Sequence, residues 1–289
     1  MRTDEAVRVA TLAGARVGMP VDDAQVLRVG ENGVVLLSGV GVLVRVVPGA
    51  GAVQRVRLEI AVAEWLASQG VPVARPVRSE PIVVDQHVVS LWEYLPGGHS
   101  ADLVTLARCL RLLHGVPRPV GLLTRVSPFS RLREQLASAV GLDERDRAFL
   151  RELRDGLAVQ WDHATFALGE AVLHGDAHME NLLVTTAGRC AFIDLESVCV
   201  GPPEWDLTLS ALYYECGWFS KHEYAMFADS YGYDVRCSPA WPVLRQIRML
   251  RMTLWLAQSA DNDTPRRQQL RHRLDSLRDG SAPAGWTGF

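Results

Sequence analysis

Three short runs rich in β-branched residues, Gln25-Val26-Leu27-Arg28-Val29, Val34-Val35-Leu36-Leu37 and Val42-Leu43-Val44-Arg45-Val46-Val47, are broken by glycine-containing stretches at 30–33 and 38–41. They predict a three-stranded meander. From Ala52 to Ser68 the period changes: Val56, Ile60 and Ala63 recur at helical spacing until Gly70 and Pro72 stop the pattern. Two more strands are expected at 82–84 and 88–92, around Asp85-Gln86. After Pro96-Gly97-Gly98, Ser100 is expected to cap a helix whose apolar stripe is Leu103, Ala107 and Leu110, ending before Gly115 and Pro117. Beyond position 129 the pattern is almost wholly helical. The exception is a hairpin in which Leu182-Leu183-Val184 and Cys190-Ala191-Phe192-Ile193 flank a turn at Ala187-Gly188. The stretch 281–285, ahead of Trp286, reads as a loosely held tail. Strands first and helices afterwards predict an α+β chain divided into a β-rich part, 1–95, and a larger helical part, 96–289.

The hairpin carries the candidate chemistry. It is preceded by His174-Gly175-Asp176-Ala177-His178-Met179-Glu180-Asn181 and followed by Asp194-Leu195-Glu196. An antiparallel pair brings Asn181, just before the first strand, and Asp194, just after the second, to the same end. One carboxylate and one amide are a common protein share of a magnesium shell completed by phosphate and water. Asp176 stands five positions before Asn181, the Asp-x-x-x-x-Asn spacing in which the acid takes the proton of an attacking hydroxyl during phosphoryl transfer. The alternation His174, Asp176, His178 also fits zinc or iron ligation on a strand, but Gly175 and the downstream Asn181 and Asp194 weigh against it.

The pattern His-Gly-Asp-x-His-x-x-Asn followed by Ile-Asp-x-Glu resembles the aminoglycoside phosphotransferase and choline kinase-like family of small-molecule kinases. Leu91-Trp92-Glu93-Tyr94-Leu95-Pro96-Gly97-Gly98 resembles the family's hinge, Leu110-Arg111-Leu112-Leu113-His114 its helix ending in Leu-His, and Glu204-Trp205-Asp206-Leu207 its later Asp-Leu signature. The likeness spans roughly positions 25 to 215. It implies a two-lobed protein-kinase-like fold, ATP or GTP as donor and Mg2+ as cofactor. Asp176 is then the catalytic base, and Asn181, Asp194 and Glu196 are metal-side residues. His174, His178 and Asp206 organise the loop, Asp206 as a helix N-cap or a loop-bracing acid.

The main chain at Glu93 and Leu95 would meet adenine, and Gly30 and Gly33 would lie near the phosphates, although Gly30-Glu31-Asn32-Gly33 lacks the Gly-x-Gly-x-x-Gly of protein kinases. One departure is sharp. The only lysine in the chain is Lys221, so the third-strand position that holds a phosphate-binding lysine in protein kinases is Arg45, with Glu59 as its helix partner. Arginine keeps the charge and changes the geometry.

Composition narrows the partners more than the chemistry. The 289 residues suit two unequal lobes, and 48% hydrophobic with 22% charged residues is an ordinary globular balance. A net charge of −3 gives no support for nucleic-acid binding. Five cysteines without a Cys-x-x-Cys pair are expected to be reduced. The acidic N-terminus and the absence of a long apolar window suit a cytoplasmic protein without a membrane span; a monomer or weak dimer is expected.

The acceptor is a small-molecule hydroxyl. Glu215, Glu223, Asp229 and Asp234 would suit a polycationic aminosugar, which puts an aminoglycoside or related antibiotic, and a role in antibiotic resistance, first. Tyr213, Tyr214, Trp218, Trp241 and Trp255 offer aromatic faces for a choline-like cation. Among these, Glu215, Tyr214 and Trp218 are the acceptor-binding candidates. Choline, a sugar or homoserine are alternative acceptors, and a catalytically silent kinase-fold binding protein is the alternative of another class.

Overall fold

Residues 1–260 and 264–288 are described by the structure, a computed structural model. Its contacts divide the chain into two units. The first comprises Met1–Asp102, Pro119–Leu122 and Met179–Val198; the second comprises Leu103–Arg118, Leu123–His178 and Cys199–Phe289.

The expected strands of the first unit form as β1 (Ala24–Val29), β2 (Gly33–Leu37), β3 (Val42–Pro48), β4 (Ile82–Val84) and β5 (His87–Glu93), with α2 (Val53–Ser68) after β3. They make one antiparallel sheet in the order β1-β2-β3-β5-β4. A helix that the charges of the first residues had hidden, α1 (Thr3–Arg16), precedes them. Its stripe Ala6, Val9, Ala10 and Ala13 is buried and packs with Val35, Val44, Val46 and Leu91 of the sheet. Small side chains let the helix backbone approach the strands closely.

The same unit contains β6 (His99–Ser100) and the hairpin β8 (Leu182–Val184) with β9 (Cys190–Phe192), joined as a sheet in the order β6-β8-β9. The hairpin turn is closed by the Gly188 N–H on the Thr185 carbonyl (2.8 Å), with Gly188 at φ +76°. Ser100 therefore lies in a strand. It does not cap the helix, α3 (Leu103–His114), which starts three residues later.

The second unit is helical, with α3, α4 (Leu132–Ser138), α5 (Glu144–Asp162), α6 (Glu204–Glu215), α7 (Lys221–Tyr231), α8 (Trp241–Ala257) and α9 (Thr264–Asp279). Local signals fix several ends. Asp143 caps α5 by accepting the Asp146 N–H, and Ser220 with Glu223 forms a capping box on α7. Two three-residue strands absent from the sequence expectation, β7 (Ala171–Leu173) and β10 (Cys199–Gly201), pair antiparallel and bracket the loop bearing Asp176 in the chain.

The expectation of a loose terminal stretch is corrected. Trp286 is 1% exposed, the Arg273 guanidinium lies 4.9 Å from its ring centroid, and Arg273 also donates to the Thr287 carbonyl (2.6 Å). A buried aromatic with a cation on its face anchors the segment against α9.

Candidate active site

In the first unit Arg45 is the hub. It sits on β3 between fully buried Val44 and Val46, so strand alternation puts it on the opposite face. Nη1 lies 2.5 Å from Glu59 Oε1, while Nη2 lies 3.5 Å from Glu196 Oε2 and 3.6 Å from Asp194 Oδ1. Glu59 stands on the buried stripe of α2 with Val56, Ile60 and Ala63. Burial pushes its carboxyl up to about 7, with Asp194 and Glu196 adding to the rise and Arg45 opposing it. Burial also works against the Arg45 charge, but Glu59, Asp194 and Glu196 outweigh it and hold the guanidinium above its usual range. Arg55, one helical turn before Glu59, reaches Glu196 at 3.9 Å.

Asp194 follows β9 in the left-handed region, at φ +57° and ψ +56°, a conformation aspartate tolerates better than most residues. The Ile193 N–H donates to the Asn181 carbonyl (3.0 Å), which extends the hairpin ladder and sets Asn181 and Asp194 at one end of it. No group of three or more His, Cys, Asp or Glu gathers as a metal cage among the described residues. The candidate ligands Asn181, Asp194 and Glu196 offer hard oxygens, and Asp194 remains 46% exposed. That set fits magnesium, which keeps positions for phosphate and water, and does not fit zinc.

The hinge segment uses much of its backbone internally. Glu93 N–H donates to the Arg75 carbonyl (2.9 Å), Tyr94 N–H to Gly41 (2.9 Å), and the Leu95 carbonyl accepts from Gly98 N–H (3.1 Å). The Glu93 side chain is engaged by Arg189 through two hydrogen bonds of 2.7 and 2.8 Å, which hold its carboxyl below the usual range.

The glycine turn finds a packing explanation. A Cβ on Gly33 would lie 2.8 Å from the Ala6 Cβ, and the Met1 amino group donates to the Gly30 carbonyl (3.2 Å). Gly33 is glycine because α1 crosses there, whereas a Cβ on Gly30 would meet nothing within 4 Å.

In the second unit Asp206 holds the loop that bears Asp176. It lies in the first turn of α6, not at its N-cap, and is fully buried. Its Oδ2 accepts the His174 N–H (2.7 Å) and its Oδ1 the Gly175 N–H (2.8 Å), with His114 Nε2 at 3.1 Å from Oδ2. Burial would raise this carboxyl, but the His114 hydrogen bond and the charges of His114 and His174 leave it below its usual value. His114 is fixed in turn by the Tyr231 hydroxyl at 2.8 Å. Gly175 turns at φ +85°, a conformation that favours glycine, and its carbonyl accepts from Trp205 Nε1 (2.9 Å).

Asp176 itself is 47% exposed, with His178 Nε2 at 3.8 Å from Oδ2 and Arg248 Nη1 at 3.7 Å from Oδ1. Arg248 and, one turn on, Arg251 are site residues that sequence reasoning missed. The signal was an arginine inside the apolar run Ile247-Arg248-Met249-Leu250. Arg248 is 2% exposed, lies 3.9 Å from the Trp205 ring centroid, and donates to the carbonyls of Gly175 (3.2 Å) and Trp205 (3.1 Å). Burial draws its guanidinium down to about 10.

The acceptor candidates are engaged within the fold. Glu215 pairs with Arg245 (2.5 Å), Glu223 belongs to the α7 capping box, and Asp234 accepts from the Tyr224 hydroxyl and pairs with Arg236 (both 2.7 Å). Trp218 Nε1 donates to the Trp286 carbonyl (2.5 Å), and its ring packs on Tyr213. Tyr214 stacks on Tyr224, and Arg236 lies over both rings. Of the expected acidic wall and aromatic cage, Glu215 and Asp234 are thus each paired with an arginine and Tyr214 lies under one.

A model of the phosphotransferase enzyme family matches residues 21–247. No curated protein matches at a significant level. Among solved structures, an amicoumacin kinase in complex with AMP-PNP, Ca2+ and Ami is similar at TM-score 0.74 and 13% identity, over 99% of this chain and 98% of that one. A choline/ethanolamine kinase family protein from Mesorhizobium loti is similar at TM-score 0.62 and 22% identity, over 96% and 94%. An aminoglycoside phosphotransferase from Streptomyces rimosus, in complex with ADP and streptomycin, is similar at TM-score 0.59 and 21% identity, over 82% and 97%. At these identities the likeness shows the two-part α+β kinase-like fold.

Proposed function

Because the chain belongs to the phosphotransferase enzyme family, and is thus a small-molecule kinase, we propose that it moves the γ-phosphate of ATP or GTP to a hydroxyl of a small molecule, with Asp176 as the base. The observation that carries this reading is the Arg45 hub, a guanidinium placed between the helix acid Glu59 and the hairpin acids Asp194 and Glu196. That is the charge arrangement a kinase uses to position phosphates, with arginine in place of lysine.

In this reading residues 1–95 bind the nucleotide and 96–289 supply the base and the acceptor site. The Glu93 carbonyl and Leu95 amide meet the adenine edge, and Arg45 places its charge on the phosphates. Asn181 and Asp194 would hold magnesium, which when bound neutralises charge on the phosphate oxygens; Glu196 steadies Arg45. Asp176 accepts the hydroxyl proton as the acceptor oxygen bonds to the γ-phosphorus and the bond to the bridging oxygen breaks, releasing the nucleoside diphosphate. Its carboxylate is half exposed, as a group that must meet an acceptor should be.

Neighbours of similar fold include kinases named for amicoumacin and for choline or ethanolamine, and one bound to streptomycin. A hydroxylated antibiotic is the first acceptor class to screen, and an antibiotic acceptor would make resistance the physiological role. A silent binding module is disfavoured by the joint presence of Asp176, Asn181 and Asp194.

The test is transfer of labelled γ-phosphate from ATP to a panel of antibiotics, amino alcohols and sugars. A phosphorylated product is expected, and Asp176→Asn should lower its turnover by about 10²–10⁴-fold while nucleotide affinity stays within a factor of a few. Wild-type turnover in that variant would remove Asp176 as the base.

A further inference from the structure

The charges around Asp176 speak to the acceptor. Within the second unit its carboxylate faces Arg248 at 3.7 Å and also feels the charge of Arg251. Arg131, at a left-handed backbone position before α4, adds a positive charge that Arg251 feels in turn. The other acid of this region, Asp206, is committed to two backbone amides and His114. One half-exposed carboxylate therefore faces two guanidinium groups of α8.

The two α8 arginines differ in how far they are committed. Arg248 divides its donors between Asp176, Gly175 and Trp205 and is sealed beneath the loop. Arg251 Nη1 donates to the Pro128 carbonyl (2.9 Å), and its guanidinium lies 5.8 Å from the Trp205 centroid. It forms no ion pair with a carboxylate among the described residues. Burial works against the Arg251 charge more strongly than Asp176 supports it, and its guanidinium is held below its usual range. Trp255, one turn further along the same face of α8, is 53% exposed. An arginine with donors to spare thus stands between the base and an exposed aromatic ring.

We infer that the acceptor carries an anionic group, a carboxylate or a phosphate, that Arg251 receives while the acceptor's hydroxyl lies at Asp176 and its apolar part against Trp255. This rests on the reading of Asp176 as the base. Arginine suits the task because its planar fork binds carboxylate or phosphate oxygens in pairs. A polycation placed there would meet like charge and leave Arg251 unmatched.

The test is calorimetric and uses the full chain saturated with AMP-PNP and magnesium. D-Glucuronate, glucose 6-phosphate and D-glucosamine share a pyranose ring and differ in charge. At least one of the two anions is expected to bind ten-fold or more tightly than glucosamine, and which one does so separates the carboxylate from the phosphate. Raising the salt from low to high should weaken that binding and should not weaken the binding of glucosamine, whose repulsion it screens. Arg251→Gln should lose at least ten-fold of the anion affinity and Arg251→Lys should keep most of it. Glucosamine binding as tightly as both anions, binding by neither anion, or equal anion affinity in Arg251→Gln would overturn the inference. The discrimination and its salt dependence are read on the wild-type chain, so they decide even if a variant fails to fold. Binding of AMP-PNP without charge discrimination overturns this inference alone, whereas failure of AMP-PNP to bind removes the kinase reading and takes the inference with it.

Discussion

Asp206 has no water to lean on: it is fully buried, and its two oxygens serve the His174 and Gly175 amides and His114. Its carboxyl stays below its usual 3.8 because those donors outweigh burial. A folded-state pKa below the unfolded one contributes stability that is present above pH 3.8 and is lost as the pH falls through the depressed value. Asp206→Asn should therefore cost about 1–3 kcal/mol near neutral pH, because an amide turns a donor toward donors. The variant should also lose part of the wild type's decline in stability below pH 4. Denaturant midpoints between pH 3 and 7 measure both, and an unchanged acid limb in the variant would contradict the assignment. At this scale register was legible: the pair Arg45–Glu59 forms, and Asn181 and Asp194 stand at one end of the hairpin. It was not legible at Arg248 and Arg251, because their role depends on what α8 packs against, and helical spacing alone does not carry that.

Among the elements, alternation and helical period located the five-stranded sheet, α2 and the hairpin to within one or two residues, since each buries a continuous face of β-branched or aliphatic side chains. The misses have local causes. The stripe of α1 is mostly alanine, which a reading for large apolar residues passes over, and β7 and β10 have only three residues each. Ser100 has the chemistry of a cap, but its segment pairs with β8 instead. The crossing of α1 over β2 gives a direct check on Gly33. Gly33→Ala should destabilise the protein by about 1–3 kcal/mol through overpacking against Ala6. Its nucleotide affinity should change by less than two-fold; a large loss of affinity with stability intact would favour the phosphate-contact reading over the packing one.

For the molecule as a whole, the charge pattern matters as much as the fold. With a single lysine in the sequence, cationic work falls to arginine, and that work is divided. Arg45 holds a carboxylate cluster in the first unit, Arg248 props the loop that bears Asp176 in the second, and Arg273 secures the terminal segment through Trp286. No helix among the described residues is long and apolar enough to cross a membrane. Trp286→Ala should lower unfolding free energy by about 3–5 kcal/mol, as for other buried aromatics, and a change under 1 kcal/mol by chemical denaturation would contradict the anchoring role.

The central claim is that this chain builds a metal-assisted nucleotide site from Arg45, Asn181 and Asp194. Calorimetric titration with ATP and with GTP, each with and without magnesium, on the wild type and on Asp194→Ala, tests it most directly. The account predicts binding of at least one nucleotide that magnesium strengthens ten-fold or more, an enhancement that Asp194→Ala abolishes. Absence of binding by either nucleotide, or binding to which magnesium and Asp194 make no difference, would contradict it.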